Sequence, residues 1–158
     1  MLAGTFGPTP GVMPARIIAD VTANIDDDEA SYYGPGTAVR MFCSDNLIRI
    51  GLDATVRQMA ERLAAEGVGA LVVVDGEQVH GVVSERDVVL AIAAGKDLDL
   101  TTAADLDSRH VVRCAPDTSV HAAAIVMMEH YVRHLVVEDV TGPVGMVSAR
   151  DLLGAYAT

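Results

Sequence analysis

Along most of this chain the apolar positions change period in a fixed order, and the order runs through twice. From about Val39 onward, Ile48-Arg49-Ile50 reads as a short strand. Val56, Met59, Ala60, Leu63 and Ala64 then fall at i, i+3, i+4, i+7 and i+8, which is one face of a helix. Asp53 and Thr55 supply N-cap chemistry before it, and Gly67 and Gly69 end it. Ala70 to Val74 is an unbroken apolar run, the pattern of a buried strand. Asp75-Gly76 reads as a turn and Val79 to Val83 as the next strand. Ser84 caps a helix through Val88, Val89, Ile92 and Ala93 to Gly95.

The second pass gives a strand over Val111 to Arg113 and a helical face of Val120, Ala123, Ala124, Met127 and Met128. Strands from Leu135 to Glu138 and Pro143 to Val147 follow, then a helix from about Ala149 to Tyr156. A short piece precedes each pass, Ala38 to Phe42 and Thr102 to Leu106. The methionines read as core filler. The predicted fold is α/β (α+β): two pseudo-symmetric β-α-β-β-α repeats packed through their sheets. The expected divisions are an arm over residues 1–36, a first repeat over 37–98 and a second over 99–158. In the arm, Arg16 to Val21 reads as a lone docked strand. The run Asp26-Asp27-Asp28-Glu29 reads as a solvated surface rather than a metal site.

The repeats are legible as a duplication because a phrase recurs. Gly81-Val82-Val83-Ser84-Glu85-Arg86-Asp87 returns 64 positions later as Gly145-Met146-Val147-Ser148-Ala149-Arg150-Asp151. The register needs no gap between Ile48 and Asp87.

Composition narrows what such a protein does. Only 11 Lys and Arg stand against 22 Asp and Glu, a net charge of −11. That balance argues against nucleic acid, which needs clustered cations, but not against a small anion in a local pocket. Cys43 and Cys114 sit in no close-spaced motif and read as buried free thiols of a cytoplasmic protein. The start lacks a signal-peptide pattern, and no apolar run approaches the roughly 20 residues of a membrane span. The chain is expected to be soluble and cytoplasmic.

The repeated phrase admits two readings. Ser-x-x-Asp at a strand-to-helix junction is a capping box, which explains the Ser and Asp but not the Arg or the glycine. The same geometry also suits a ribonucleotide. A helix N-terminus favours phosphate, Ser84 and Ser148 can donate a hydroxyl, and Arg86 and Arg150 can add charge-assisted bonds. Asp87 and Asp151 can accept from a sugar diol. His130 and His134 are four apart, but the helix is expected to end near His130, so no shared metal face forms and no metal is predicted. His80, His110 and His121 are scattered. No Gly-x-Ser-x-Gly elbow or Walker loop is present, and no enzyme is predicted.

The two phrases in this register, with the Leu71-Val72-Val73-Val74-Asp75-Gly76 and Leu135-Val136-Val137-Glu138-Asp139 strands, resemble a tandem pair of CBS domains, a Bateman module. The resemblance covers about Val39 to Tyr156. It implies a regulatory sensor with clefts shared between repeats. Ser84 with Asp87, and Ser148 with Asp151, would hold phosphate and ribose. Val82, Val112 and Val132 would line one purine pocket; Met146, Ile48 and Val68 would line the other. Arg133 and His134 would serve the Ser84 cleft, with Gly69 and Ala70 in the Ser148 cleft. The Ser84 cleft is therefore expected to be the tighter one for multiply charged phosphates, with Glu85 working against it. The implied ligand is an adenine nucleotide (AMP, ADP or ATP) or a relative such as S-adenosylmethionine or NAD. The implied partners are a second copy in a homodimer and an effector protein in trans, not nucleic acid or a membrane. The alternative is a structural or interaction protein that binds no ligand and dimerises through its helices.

Overall fold

The computed structural model describes residues 33–45, 47–106 and 110–156. The expected strand over Arg16 to Val21 and the acidic run at 26–29 lie outside them.

Each repeat is a three-stranded sheet with two helices. The first comprises β1 (Arg49–Gly51), α1 (Val56–Glu66), β2 (Ala70–Asp75), β3 (Gln78–Ser84) and α2 (Glu85–Ala93). The second comprises β4 (Arg113–Cys114), α3 (Val120–Glu129), β5 (His134–Asp139), β6 (Gly142–Ser148) and α4 (Ala149–Leu153). Single 3-10 turns occupy Val39–Met41, Ala103–Asp105 and Gly154–Tyr156. The sheet orders are β1-β2-β3 and β4-β5-β6, the first pair of each parallel and the second antiparallel. Ala70 lies opposite Ser84, and His134 opposite Ser148, so the duplication holds in the register.

Local chemistry sets the helix ends. The Gln58 N–H donates to Thr55 Oγ1 at 3.3 Å and the Thr55 N–H donates to Gln58 Oε1 at 2.9 Å, a capping box that starts α1. Gly67 ends α1 with φ 65°, the left-handed cap that glycine adopts without strain. α3 ends one position earlier in the repeat, with His130 as its cap and Tyr131 at the place of Gly67.

Two cores result. Met59, Leu63, Leu71, Val73 and Val83 meet Val88 and Ala91 of α2 in one. Val120, Met127, Leu135, Val137 and Val147 meet Leu152 in the other. Strand side chains alternate, so Val72 and Val136 point away from these cores. Both are fully buried nonetheless, on the faces through which the two repeats pack.

The pieces preceding each repeat cross over. Residues before β1 dock on the second repeat: the Val39 N–H donates to the Thr118 carbonyl at 2.8 Å, and Val39 is buried in the second core. Ser44 and Met146 exchange backbone bonds at 3.0 and 3.2 Å. Tyr33 packs edge-on to Phe42 at 5.3 Å, and both pack on that core. The end of the expected arm is thus docked from Tyr33 onward. Reciprocally, the Ala103 N–H donates to the Ala54 carbonyl at 2.8 Å and the Val56 N–H to the Thr101 carbonyl at 2.9 Å. Ala103 lies in the first core, with Leu98 and Leu106 against it. A division after residue 98 therefore separates in sequence what the fold joins.

This exchange explains the glycine of the repeated phrase at Gly145. A Cβ there would overlap Cys43 Sγ and the Ser44 carbonyl. Some apolar positions depart from their expected burial. Met128 is 75% exposed, and Val89 and Ile92 of α2 are also exposed. Residues 88–93 are apolar throughout, so their period does not choose a face. Cys43 and Cys114 are free and only half-buried. Burial still pushes both thiols up, Cys43 to about 11 with Asp45 adding to it, so both stay protonated at neutral pH. No helix among the described residues is long and apolar enough to cross a membrane.

Candidate ligand-binding clefts

The two strand-to-helix junctions are built alike. The Ser84 N–H and hydroxyl both donate to Asp87 Oδ2 at 2.7 Å. The Ser148 N–H and hydroxyl do the same to Asp151 Oδ2 at 2.7 Å, and the Asp151 N–H returns a bond to Ser148 Oγ at 3.2 Å. The capping reading of Ser-x-x-Asp is therefore realised in both repeats. It consumes one oxygen of each carboxylate; among the described residues nothing donates to Oδ1 of Asp87 or Asp151. Each serine can offer a proton to an incoming anion only by turning it away from its aspartate. Arg86, Arg133 and Arg150 have no ion-pair partner among the described residues.

Each junction opens on a cleft. The one at Ser148 has a volume of about 500 Å³ and includes Ser148, Arg150, Asp151, Met146, Ile48 and Val68. The one at Ser84 has about 350 Å³ and includes Ser84, Arg86, Asp87, Val82, Val112 and Val132. Both sizes suit a small molecule. Each cleft draws walls from both repeats, and the residues expected to share a pocket do share one.

Two placements differ from expectation. Arg133 and His134 line both clefts, not the Ser84 cleft alone. His134 pairs with Ser148 across β5 and β6, and the Ala149 N–H bonds the Arg133 carbonyl at 2.8 Å, so the two residues start beside the Ser148 cleft and reach the other. Glu85 lines the Ser148 cleft and not the Ser84 cleft. Its N–H bonds the Gly69 carbonyl at 3.1 Å, the counterpart of the Ala149–Arg133 bond, yet Glu85 and Ala149 both line the Ser148 cleft. The Ser84 cleft thus holds two arginines against one carboxylate, and the Ser148 cleft two arginines against two.

Burial holds the His134 imidazole below its ordinary 6.5, with Arg133 pushing the same way and Asp151 and Glu85 opposing. It is neutral at pH 7 and packs on the Gly69 backbone, where a Cβ would stand 3.0 Å from Nε2. Tyr131, His110 and Leu90 also line the Ser84 cleft, although nothing in the repeated phrase points to them. Comparing the repeats position by position would have found Tyr131, which stands where the first repeat has Gly67.

The CBS-domain family pattern matches residues 39–94 and 103–158. The chain belongs to the CBS-domain family. This CBS pair is 30% identical to a CBS-domain protein from Pyrobaculum aerophilum solved with AMP, with a TM-score of 0.65 over 77% of this chain and 99% of that one. It is 28% identical to hypoxic response protein 1 of Mycobacterium tuberculosis over 118 residues, 73% of this chain and 82% of the relative. A structure of hypoxic response protein 1 holds two coordinated zinc ions and superposes with a TM-score of 0.62 at 28% identity, over 75% of this chain and 98% of that one. Among the described residues of the present chain, no three His, Cys, Asp or Glu converge to hold a metal. An uncharacterised protein of Methanopyrus kandleri is 29% identical over 63% of this chain, but that match spans only 52% of the relative's length.

Proposed function

We propose that this CBS pair is a regulatory module that binds an adenine nucleotide or a related adenosyl ligand in its two clefts. The observation that carries the reading is the repetition of one polar set. A serine, an arginine and an aspartate with a spare oxygen stand at the end of an apolar-walled cleft, once in each repeat. Phosphate would take the serine and arginine, the ribose diol would take the aspartate, and the base would lie on the valine or methionine walls. The AMP held by the Pyrobaculum relative supports this ligand class. Binding would bridge the repeats and bias their relative position, and a cytoplasmic partner protein would read the change. A homodimer through the exposed apolar helix faces belongs to the same reading, and no catalytic step is assigned.

Thermal unfolding against AMP, ADP, ATP, S-adenosylmethionine and NAD tests it. A ligand at about 100 times its Kd should add roughly 2.7 kcal/mol of stability. A second reading rests on the capping bonds, which give Ser84 and Asp87 a purely structural task. No shift with any of the five compounds would favour that interaction protein over the sensor.

A further inference from the structure

Tyr131 follows α3 in a conformation that tyrosine avoids. Its φ of 55° lies in the left-handed region, where a Cβ crowds the following carbonyl oxygen. The duplication supplies the control: Gly67 occupies the equivalent position with φ 65°. The fold asks for positive φ at this point, and glycine meets the demand without strain. Tyrosine meets it with strain and recovers nothing by packing. It is 91% exposed and makes no ring–ring contact among the described residues. Yet it lines the Ser84 cleft beside Leu90, Val112 and Val132, while Gly67 lines the Ser148 cleft. A residue that strains the backbone and buries no ring serves something other than the fold.

We propose that Tyr131 is a specificity-determining residue of the Ser84 cleft. Its ring supplies a face that stacks on the planar base of a phosphorylated ligand, and the Ser148 cleft lacks that face because Gly67 stands there. The inference rests on the nucleotide reading above and adds a residue and a difference in ligand preference. Phosphate and ribose recognition remain with Ser84, Arg86 and Asp87.

The test compares the wild-type chain with Tyr131→Gly and Tyr131→Phe, using AMP and ribose 5-phosphate as probes in isothermal titration. Tyr131→Gly copies Gly67 and relieves strain, so its Tm should equal or exceed that of the wild type. One of the two AMP affinities should fall about tenfold in Tyr131→Gly, the scale of a lost base–aromatic stack, and stay unchanged in Tyr131→Phe. Ribose 5-phosphate should bind all three alike. The chain has four Tyr and no Trp, so intrinsic fluorescence is tyrosine emission to which the Tyr131 ring contributes. AMP should quench it in the wild type, and Tyr131→Phe should remove most of that response. Equal AMP affinity in the wild type and Tyr131→Gly would overturn the role of Tyr131 while leaving the nucleotide reading intact. Failure of the wild type to bind AMP or any of the other four compounds would overturn both.

Discussion

The Ser84 and Ser148 clefts carry the same Ser, Arg and Asp at the same register, yet they are not two copies of one site. The Ser148 cleft is larger, about 500 against 350 Å³, and admits Glu85. The Ser84 cleft excludes Glu85 and admits Tyr131. Arg133 and His134 border both. Duplication has preserved the groups at the helix junctions and left the walls free to diverge. The electrostatic advantage still lies with the Ser84 cleft, but for a different reason than the sequence implied. It comes from where Glu85 sits, because Arg133 and His134 favour neither side.

The largest expected effect concerns the wall of the Ser148 cleft. Gly145→Ala would press a methyl group into Cys43 and Ser44, and Ser44 lines that cleft. Overpacking of this kind costs about 1–3 kcal/mol. Denaturant unfolding should register the loss, and AMP titration should show the Ser148 cleft weakened more than the Ser84 cleft. An unchanged midpoint would mean that the crossing segment yields without cost.

Arg133→Ala comes next. A charge-assisted hydrogen bond contributes about 1.5–3 kcal/mol, so ATP affinity should drop tenfold or more. The drop should appear at both clefts in titration calorimetry; a loss confined to one would dissolve the idea of a shared cation. Glu85→Ala should act more gently and in the opposite direction. It copies Ala149 and should strengthen ATP at the Ser148 cleft about threefold at low salt, less at high salt as exposed charges are screened. Equal gains at the two clefts would contradict its placement.

The smallest effect is a pH slope. His134 faces Arg133, Asp151 and Glu85, and its folded-state pKa is lowered. Between about 6.5 and that lower value the unfolded chain binds a proton that the folded chain does not. Stability should therefore fall as pH drops below 6.5 and level off once the folded state is protonated too. Tm measured from pH 7.5 to 5 should be flatter in His134→Gln than in the wild type. An identical slope would assign the titration to other groups.

The regular elements were legible because their cause is local. Alternating or unbroken apolar runs gave β2, β3, β5 and β6, and an i, i+3, i+4, i+7 stripe with Thr55 before it gave α1. The grouping of Val82, Val112 and Val132 was legible through the family resemblance and not through spacing. The turn of Glu85 away from its own junction was not legible, since the two repeats share their strand register and the residue's placement is a tertiary matter. The crossing of Val39 into the second core was hidden for a similar reason: a lone buried valine carries no sign of which repeat covers it. Met128 and Ile92 sit in helices whose apolar residues fill more than one face, so hydrophobicity alone could not say which would remain in water.

The crossed segments bear on how such a chain could have arisen. A core that takes Val39 from one repeat and another that takes Ala103 from the other are each incomplete alone. A polypeptide with one repeat could close its core only by trading that segment with a second copy, as a domain-swapped pair. Tandem duplication converts such a trade between molecules into one within a molecule and removes its dependence on concentration. Once two such halves are joined they no longer have to be the same, and these two differ at Glu85 against Ala149 and at Tyr131 against Gly67.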